Sequence, residues 1–344
     1  MPIFTWNGTP GGFSDWTVGT NWLGGVAPNG TDAAVIFPVI TATTTGSPAS
    51  YFITVAANET LAAASVSLAS YLTINGTLNV LGGVSYNGGE IDMGGGTLRL
   101  GALDDANGYD VQGYGTISSS NSIVNAGLII GNGLTFNVAG FSNAGTFEAA
   151  SGSLTLNVTG GTGSFANFTG GTLTGGNYGA LSGGTLLLNV GGAITTDAAN
   201  ITVSSTAAGI NQVVGANTVA LASTLATIAA TGTFTIAGSA NYVTTSTLDV
   251  FGTLTLGSTS NQYSNTVGTL STGGLRVERG AAVNGSGTIN GPIEGAGVVS
   301  AVNGSLVLNA PGSIALQIST GTLELVGAST GAISFEDTNA SVAM

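Results

Sequence analysis

The chain has 344 residues and a net charge of −13; 58 residues are glycine, 43% are hydrophobic and only 6% are charged. The hydrophobic share argues against a disordered polar chain, which has too few apolar residues to bury, and no apolar run approaches the ~18–20 residues of a membrane helix. The acidic balance argues against nucleic acid as a partner, because such binding depends on neutralising phosphates. We therefore expect neither nucleic-acid binding nor membrane insertion.

Several residue types that carry common enzyme chemistry are absent. The chain has no Cys, His or Lys, and its cations are Arg99, Arg276 and Arg279. Serine and cysteine triads need an imidazole or an amine as base, phosphate-binding Walker loops need a lysine, and zinc sites need Cys or His. What remains is carboxylate chemistry or no chemistry.

The first forty residues differ from the rest of the chain. All three tryptophans and four of the seven prolines lie there. The opening stretch MPIFTWNGTPGG has neither the basic start nor the apolar run of a secretory signal. The sequence leaves three explanations open, namely a signal already removed, an export signal at the other end, or a protein that stays inside the cell. We predict that residues 1–40 form a segment of their own.

Residues 41–344 repeat a short motif, glycine followed by Thr or Ser and then Leu, Ile or Phe. The spacing is roughly 16 to 20 residues in much of the chain, for example from Gly76 to Gly96 to Gly115. Each unit alternates apolar and polar residues, so that Leu78 and Val80 share one face of a short strand. The spacing is lost between Gly184 and Gly232, where we predict divergent coils and not a new domain.

A fixed interval between short strands predicts that successive strands stack in parallel, one coil above the last. A β-sandwich instead places turns every 8–12 residues without one constant interval. The predicted fold class is all-β, a single-stranded parallel β-helix (β-solenoid) of roughly 16 coils, counting about 19 residues per coil. Ladders of Leu, Val and Ile fill its interior, and hydrogen-bonded Thr, Ser and Asn ladders cover its outside. Few charges are expected there, since like charges would stack ~4.8 Å apart.

Two acidic stretches are candidate calcium sites, and Ca²⁺ is the one cofactor that the sequence suggests. Asp105, Asn107 and Asp110 supply the oxygen atoms that calcium prefers, although a solvated turn explains the same stretch. Glu90 and Asp92 lie two residues apart on one strand face, where a cation would relieve their repulsion; an ordinary exposed strand is the alternative.

The same carboxylates are candidates for an enzyme that acts on polysaccharides. Glycosidases use a pair of carboxyl groups, and the pairs available are Glu90 with Asp92 or Asp104 with Asp110. Only Arg99 supplies a basic residue near them in sequence, so we predict that the chain is not an enzyme.

Near the C-terminal end, the stretch GLRVERG places Arg276 and Glu278 on one strand face. A surface ion pair worth under ~1 kcal/mol is the simplest interpretation, and a contact with an acidic neighbouring subunit is the alternative. Repeated Thr-x-Thr steps are compatible with ice binding, but the irregular coil lengths argue against it.

The N-terminal segment is predicted to cover the open end of the first coil, which would otherwise expose the core and unpaired strand edges. It is either a blocking cap or a docking plug for another copy. The interface residues of this prediction are Phe4, Trp6, Phe13, Trp16 and Trp22.

This segment resembles the start of autotransporter-passenger-type β-helix proteins of bacteria, and the coils are similar to filamentous-haemagglutinin-type repeats. The residues that carry the front motif are Trp6, Trp16, Asn21, Trp22, Pro28, Asp32 and Phe37. The resemblance implies a secreted or surface-displayed β-helix used in adhesion, biofilm matrix or filament building. The sequence shows neither the C-terminal membrane barrel nor the signal peptide of this family, so we expect either a fragment of a longer protein or export by another route.

The sequence therefore predicts a bacterial structural or adhesive protein, located outside the cell or on its surface. Its first partner is itself, joined head to tail into a fibre, because open solenoid ends can pair main chain with main chain. A surface polysaccharide or the surface of a host or neighbouring cell is the second predicted partner.

Overall fold

The structure is a computed structural model built of β-strands. It describes residues 71–86, 90–105, 110–161, 164–257, 267–318 and 322–326, the short strands at 3–5, 33–35, 52–55, 60–63, 66–68, 333–335 and 341–343, and residues 20, 23–26 and 57. No α-helix occurs among these residues, which confirms the all-β prediction. The strands form a β-solenoid of about 11 turns.

The chain divides into two compact units, residues 1–147 with 153–166 (unit 1) and residues 148–152 with 167–344 (unit 2). The strands of unit 1 are Ile3–Thr5 (β1), Ala33–Val35 (β2), Phe52–Val55 (β3), Thr60–Ala63 (β4), Val66–Leu68 (β5), Tyr71–Ile74 (β6), Thr77–Tyr86 (β7), Glu90–Asp105 (β8), Asp110–Asn125 (β9), Leu128–Asn143 (β10) and, after Thr146–Ala149 (β11), Ser153–Val158 (β12).

The strands of unit 2 are numbered in chain order from β13 to β31. They are Phe168–Thr169 (β13), Thr172–Leu181 (β14), Thr185–Asn189 (β15), Thr196–Ser204 (β16), Gly209–Val214 (β17), Asn217–Ala220 (β18), Thr227–Ile228 (β19), Thr233–Ala237 (β20), Asn241–Val243 (β21), Thr247–Val250 (β22), Thr253–Leu256 (β23), Gly268–Ser271 (β24), Gly274–Val277 (β25), Ala282–Asn290 (β26), Ile293–Asn309 (β27), Ser313–Ile318 (β28), Thr322–Val326 (β29), Ile333–Phe335 (β30) and Ser341–Ala343 (β31).

Parallel, in-register pairing builds unit 1. Leu72 of β6 pairs with Ile91 of β8, which pairs with Val111 of β9, which pairs with Ile129 of β10. All four side chains are at most 2% exposed, so they form one aliphatic column inside the coils. The predicted interior ladders are thus present, and each column removes apolar surface from water at about 25 cal/mol per Å².

Outward-facing asparagines form the predicted polar ladders. In unit 1, Asn157 donates to Asn137 at 2.9 Å, 20 residues apart in sequence. In unit 2, Asn309 donates to Asn290 at 2.6 Å, 19 residues apart. Each amide can donate to the coil on one side and accept from the coil on the other, so stacking satisfies polar groups without stacking charges.

Coil length varies more than the sequence motif predicts, which accounts for about 11 turns instead of roughly 16. In unit 2, Ile201 pairs with Phe234, 33 residues further along. The extra residues contain an antiparallel hairpin of β17 and β18 and a single 3-10 turn at Leu221–Ser223. This is the region where the motif spacing fails, and it does contain divergent coils, as predicted.

Glycine is required where a strand turns a corner against the coil below. At Gly113 the backbone φ is 110°, and an added Cβ would lie 2.1 Å from the carbonyl oxygen of Met93. Any L side chain there would be both strained and in collision. The kink lies between the outward residues Gln112 and Tyr114, so it shapes the surface described next.

Candidate functional site

Pairing of β8 with β9 brings together acidic side chains from the two candidate stretches. The strands begin at Glu90 and Asp110, which lie directly opposite each other, and Asp92 lies opposite Gln112. The alternate residues Ile91 and Val111 point inward. Glu90, Asp92, Asp110 and Gln112 therefore share one outward surface of unit 1, which we call the acidic face.

The carboxyl groups of the acidic face interact electrostatically. Burial raises the pKa of Glu90, and the nearby charges of Asp92 and Asp110 raise it further. The side-chain amide of Gln112 donates a hydrogen bond to Glu90 Oε1. The face can therefore hold a proton at higher pH than an isolated glutamate, and it attracts cations.

Calcium binding remains a prediction. No group of three or more carboxylate-bearing residues with an arrangement suited to a metal ion occurs among the described residues. Of the other proposed ligands, Asp105 ends β8, but its side chain and the whole of Asn107 lie outside the described residues. The side chain of Asp104, from the alternative carboxylate pair, also lies outside the described residues.

Arg99 does not complete the acidic face. It lies on β8, exposed, and its register neighbours on the adjacent coils are Asn79 and Ser118. Its guanidinium thus belongs to an uncharged polar row, nine residues along the strand from Glu90. A polysaccharide-cleaving arrangement with Arg99 beside the carboxylates gains no support from this register.

The predicted capping residues cannot be placed. Only the backbone of Phe4 is described, within β1, and its side chain lies outside the described residues together with Trp6, Phe13, Trp16 and Trp22. The cap or docking plug therefore stays a prediction.

Arg276, which the sequence pairs with Glu278, forms its ion pairs across coils instead. Arg276 of β25 lies 3.7 Å from Asp249 Oδ1 on β22 and 3.4 Å from Glu294 Oε1 on β27. Parallel register places these three residues in one row, an acid–base–acid ladder, instead of pairing Arg276 with Glu278 along its own strand.

One buried carboxyl was missed in the sequence. Asp197 of β16 is fully buried, because strand alternation places it on the same inward face as Ala199, Ile201 and Val203. That periodicity was the available signal, because it predicts that every second residue from 197 to 203 points inward. The second group that the sequence did not point to is Tyr242. Its hydroxyl is buried, and the negative charge of Asp197 contributes to raising its pKa.

Comparison with known proteins finds no matching family model, curated protein or solved structure. Within the described part of the chain, no helix has the length and apolar character to cross a membrane.

Proposed function

We propose that this chain is a non-enzymatic structural or adhesive protein of the bacterial cell surface or extracellular space, which adds copies of itself end to end into a filament or matrix fibre. The observation that carries the proposal is the in-register parallel stacking of nearly uncharged coils. A stack of this kind can be extended by further coils, because each new coil repeats the pairing of the one before it.

The strands at the two ends of the chain are the sites where growth would occur. β30 pairs with β28 and β31 pairs with β29, and no described strand pairs with their other edges. At the other end, β1 pairs with β2. A second copy that continued the parallel register would pair with the main-chain groups of these strands by strand addition.

The N-terminal segment of residues 1–40 is the control element in this proposal. As a cap it would cover the first coil and limit growth, and as a docking plug it would enter the last coil of the next copy. The resemblance of its tryptophan motif to autotransporter-passenger-type proteins supports the surface location. The same resemblance supports an adhesive role toward a surface polysaccharide or a host or neighbouring cell.

Negative-stain microscopy of the purified full chain tests end-to-end growth. We expect unbranched fibres one chain wide, whose length increases with protein concentration. Val342→Pro in β31 removes a main-chain donor from the last described strand and should shorten or abolish the fibres. Val342→Thr keeps the donor and serves as the matched control. Isolated particles at every concentration would overturn the proposal.

A polysaccharide-acting enzyme is the second candidate, and the raised pKa of Glu90 beside two other carboxylates favours it. A glycosidase needs one carboxyl that keeps its proton and a second that is ionised. Incubating the chain with surface polysaccharides and measuring new reducing ends tests this. Cleavage that Glu90→Gln and Asp92→Asn each abolish would establish the enzyme; absence of cleavage across the panel would remove this candidate.

A further inference from the structure

Unit 2 contains a carboxyl group in a row that is otherwise aliphatic. Asp197 pairs in register with Leu173 on one neighbouring coil and with Ile228 on the other. All three side chains are 0% exposed. Asp197 therefore occupies a position that the interior packing assigns to Leu, Ile or Val.

The two oxygens of this carboxyl differ in their surroundings. Oδ1 accepts a hydrogen bond from the main-chain N–H of Ala199 at 2.9 Å. Oδ2 is buried and has no hydrogen-bond partner among the described residues. An ionised carboxylate would leave a charge on a buried atom that nothing compensates. A protonated carboxyl carries no charge, and its O–H becomes a hydrogen-bond donor.

Tyr242 of β21 carries a second buried polar group that interacts electrostatically with Asp197. Its side chain is 6% exposed, and its hydroxyl also lacks a hydrogen-bond partner among the described residues. The pKa of Tyr242 is raised first by burial and then by the negative charge of Asp197, so the two groups share one electrostatic environment. The two groups are not hydrogen-bonded to each other, and the negative charge of an ionised Asp197 disfavours ionisation of the phenol.

No cation compensates Asp197 from the strands packed against β16. The described residues of β19 and β20 carry no ionisable group, and β14 carries Tyr178. Glu148 approaches β14 at Gly179, and Asp249 on β22 is already engaged by Arg276. The described ionisable groups on these strands are acids and phenols, so none of them supplies a positive charge to an ionised Asp197.

We propose that Asp197 is a proton-dependent switch in the interior of unit 2: the folded unit holds it protonated, and loss of this proton loosens the coils stacked around it. The proposal concerns the stability of unit 2 and does not depend on the function proposed above.

The direction of the pH dependence follows from the two end states. Burial raises the pKa of Asp197 from 3.8 to about 7, although the Ala199 N–H lowers it in part. Between these values the unfolded chain has lost the proton and the folded unit retains it. The stability of unit 2 is therefore greatest at the acid end of this window and falls as the pH rises to about 7. Above that value both states are ionised and no further change arises from this group.

Hydrogen exchange of the full-length chain tests the switch at the level of single strands. After correction for the intrinsic pH dependence of exchange, the opening constant of β14, β16, β19 and β20 should rise about tenfold per pH unit between pH 5 and 7. β10 in unit 1 should show at most a small rise, because Glu90, whose pKa is also raised, lies at the surface. Asp197→Asn, which cannot ionise, should flatten the dependence in unit 2.

Two control variants separate Asp197 from other acids of unit 2. Burial also raises the pKa of Glu148, so Glu148→Gln tests its contribution, and Glu324→Gln removes an exposed carboxyl on β29. Both should keep the dependence. An unchanged opening constant from pH 5 to 7 in the wild type, or a dependence that persists in Asp197→Asn, would overturn the proposal.

A second measurement covers the case in which Asp197→Asn does not fold. Carbon-13 carboxyl resonances of aspartate-labelled wild-type protein report each titration directly. We expect one aspartate to titrate with a midpoint near 7, well above the ordinary range for an aspartate side chain. If no resolved aspartate titrates with a midpoint near 7, Asp197 is ionised in the folded unit and the switch does not exist.

Discussion

Polar residues inside the coils of unit 1 are stable because stacking gives them partners. Asn125 and Asn143 are each 1% exposed. The Asn125 amide donates to Asn143 Oδ1 at 2.7 Å and to the carbonyl oxygen of Thr146 at 3.0 Å. Asn125 Oδ1 accepts from the N–H of Gly127 at 3.2 Å. One side chain thus joins two coils and also closes the turn that follows β9.

Replacing Asn125 with alanine should destabilise unit 1. The change removes the hydrogen bonds to the N–H of Gly127, the carbonyl oxygen of Thr146 and the Asn143 amide oxygen, and a hydrogen bond contributes about 0.5–1.5 kcal/mol to stability. We expect a loss of about 2–4 kcal/mol in the free energy of unfolding, measured by urea denaturation. Asn157→Ala on the exposed ladder is the control and should cost under ~1 kcal/mol. Equal losses for the two variants would contradict this account.

At the scale of the element, parallel register selects which surface charges meet. Asp249, Arg276 and Glu294 lie on β22, β25 and β27, and their side chains are 34%, 47% and 67% exposed. Exposure screens such pairs, so each contributes only a little. The row nevertheless places one cation between two acids that would otherwise repel along the stack.

Replacing Arg276 with glutamine should have a small and salt-dependent effect. At low ionic strength we expect the free energy of unfolding to fall by up to ~1 kcal/mol, and by less in about 0.5 M NaCl, because salt screens the pairs. Arg279→Gln, at an exposed neighbouring position, should cause no such loss. Thermal unfolding of the three proteins across a salt series measures this. A loss that is independent of salt would indicate a packing effect of the arginine stem instead.

Single elements were predictable from the sequence, whereas contacts between coils were not. Alternation gave Leu78 and Val80 their inward face, as the structure shows. The same rule places Asp197 on the inward face, but ordinary burial preferences place a carboxyl outside, so alternation and residue type give opposite predictions at this position. The meeting of Glu90 with Asp110 depends on the number of residues in one particular coil. That number varies along the chain, and local pattern does not determine it.

At the scale of the whole molecule, net charge opposes the proposed assembly. The chain carries −13 at neutral pH with only three arginines. Copies that approach end to end therefore repel over about 10 Å at 0.1 M salt, and the range shrinks to about 3 Å at 1 M. Strand addition itself is a short-range interaction of main-chain groups and is much less sensitive to salt.

Fibre growth should therefore accelerate with ionic strength. We expect a shorter lag and longer fibres when NaCl is raised from about 0.01 M to about 0.5 M, because screening lowers the repulsion between negatively charged copies and leaves strand pairing intact. Light scattering with parallel microscopy measures the rate. Lowering the pH toward the isoelectric point of about 4.1 should act in the same direction. Slower growth at high salt would mean that charge complementarity holds the copies together, and the edge-pairing model of assembly would then be wrong.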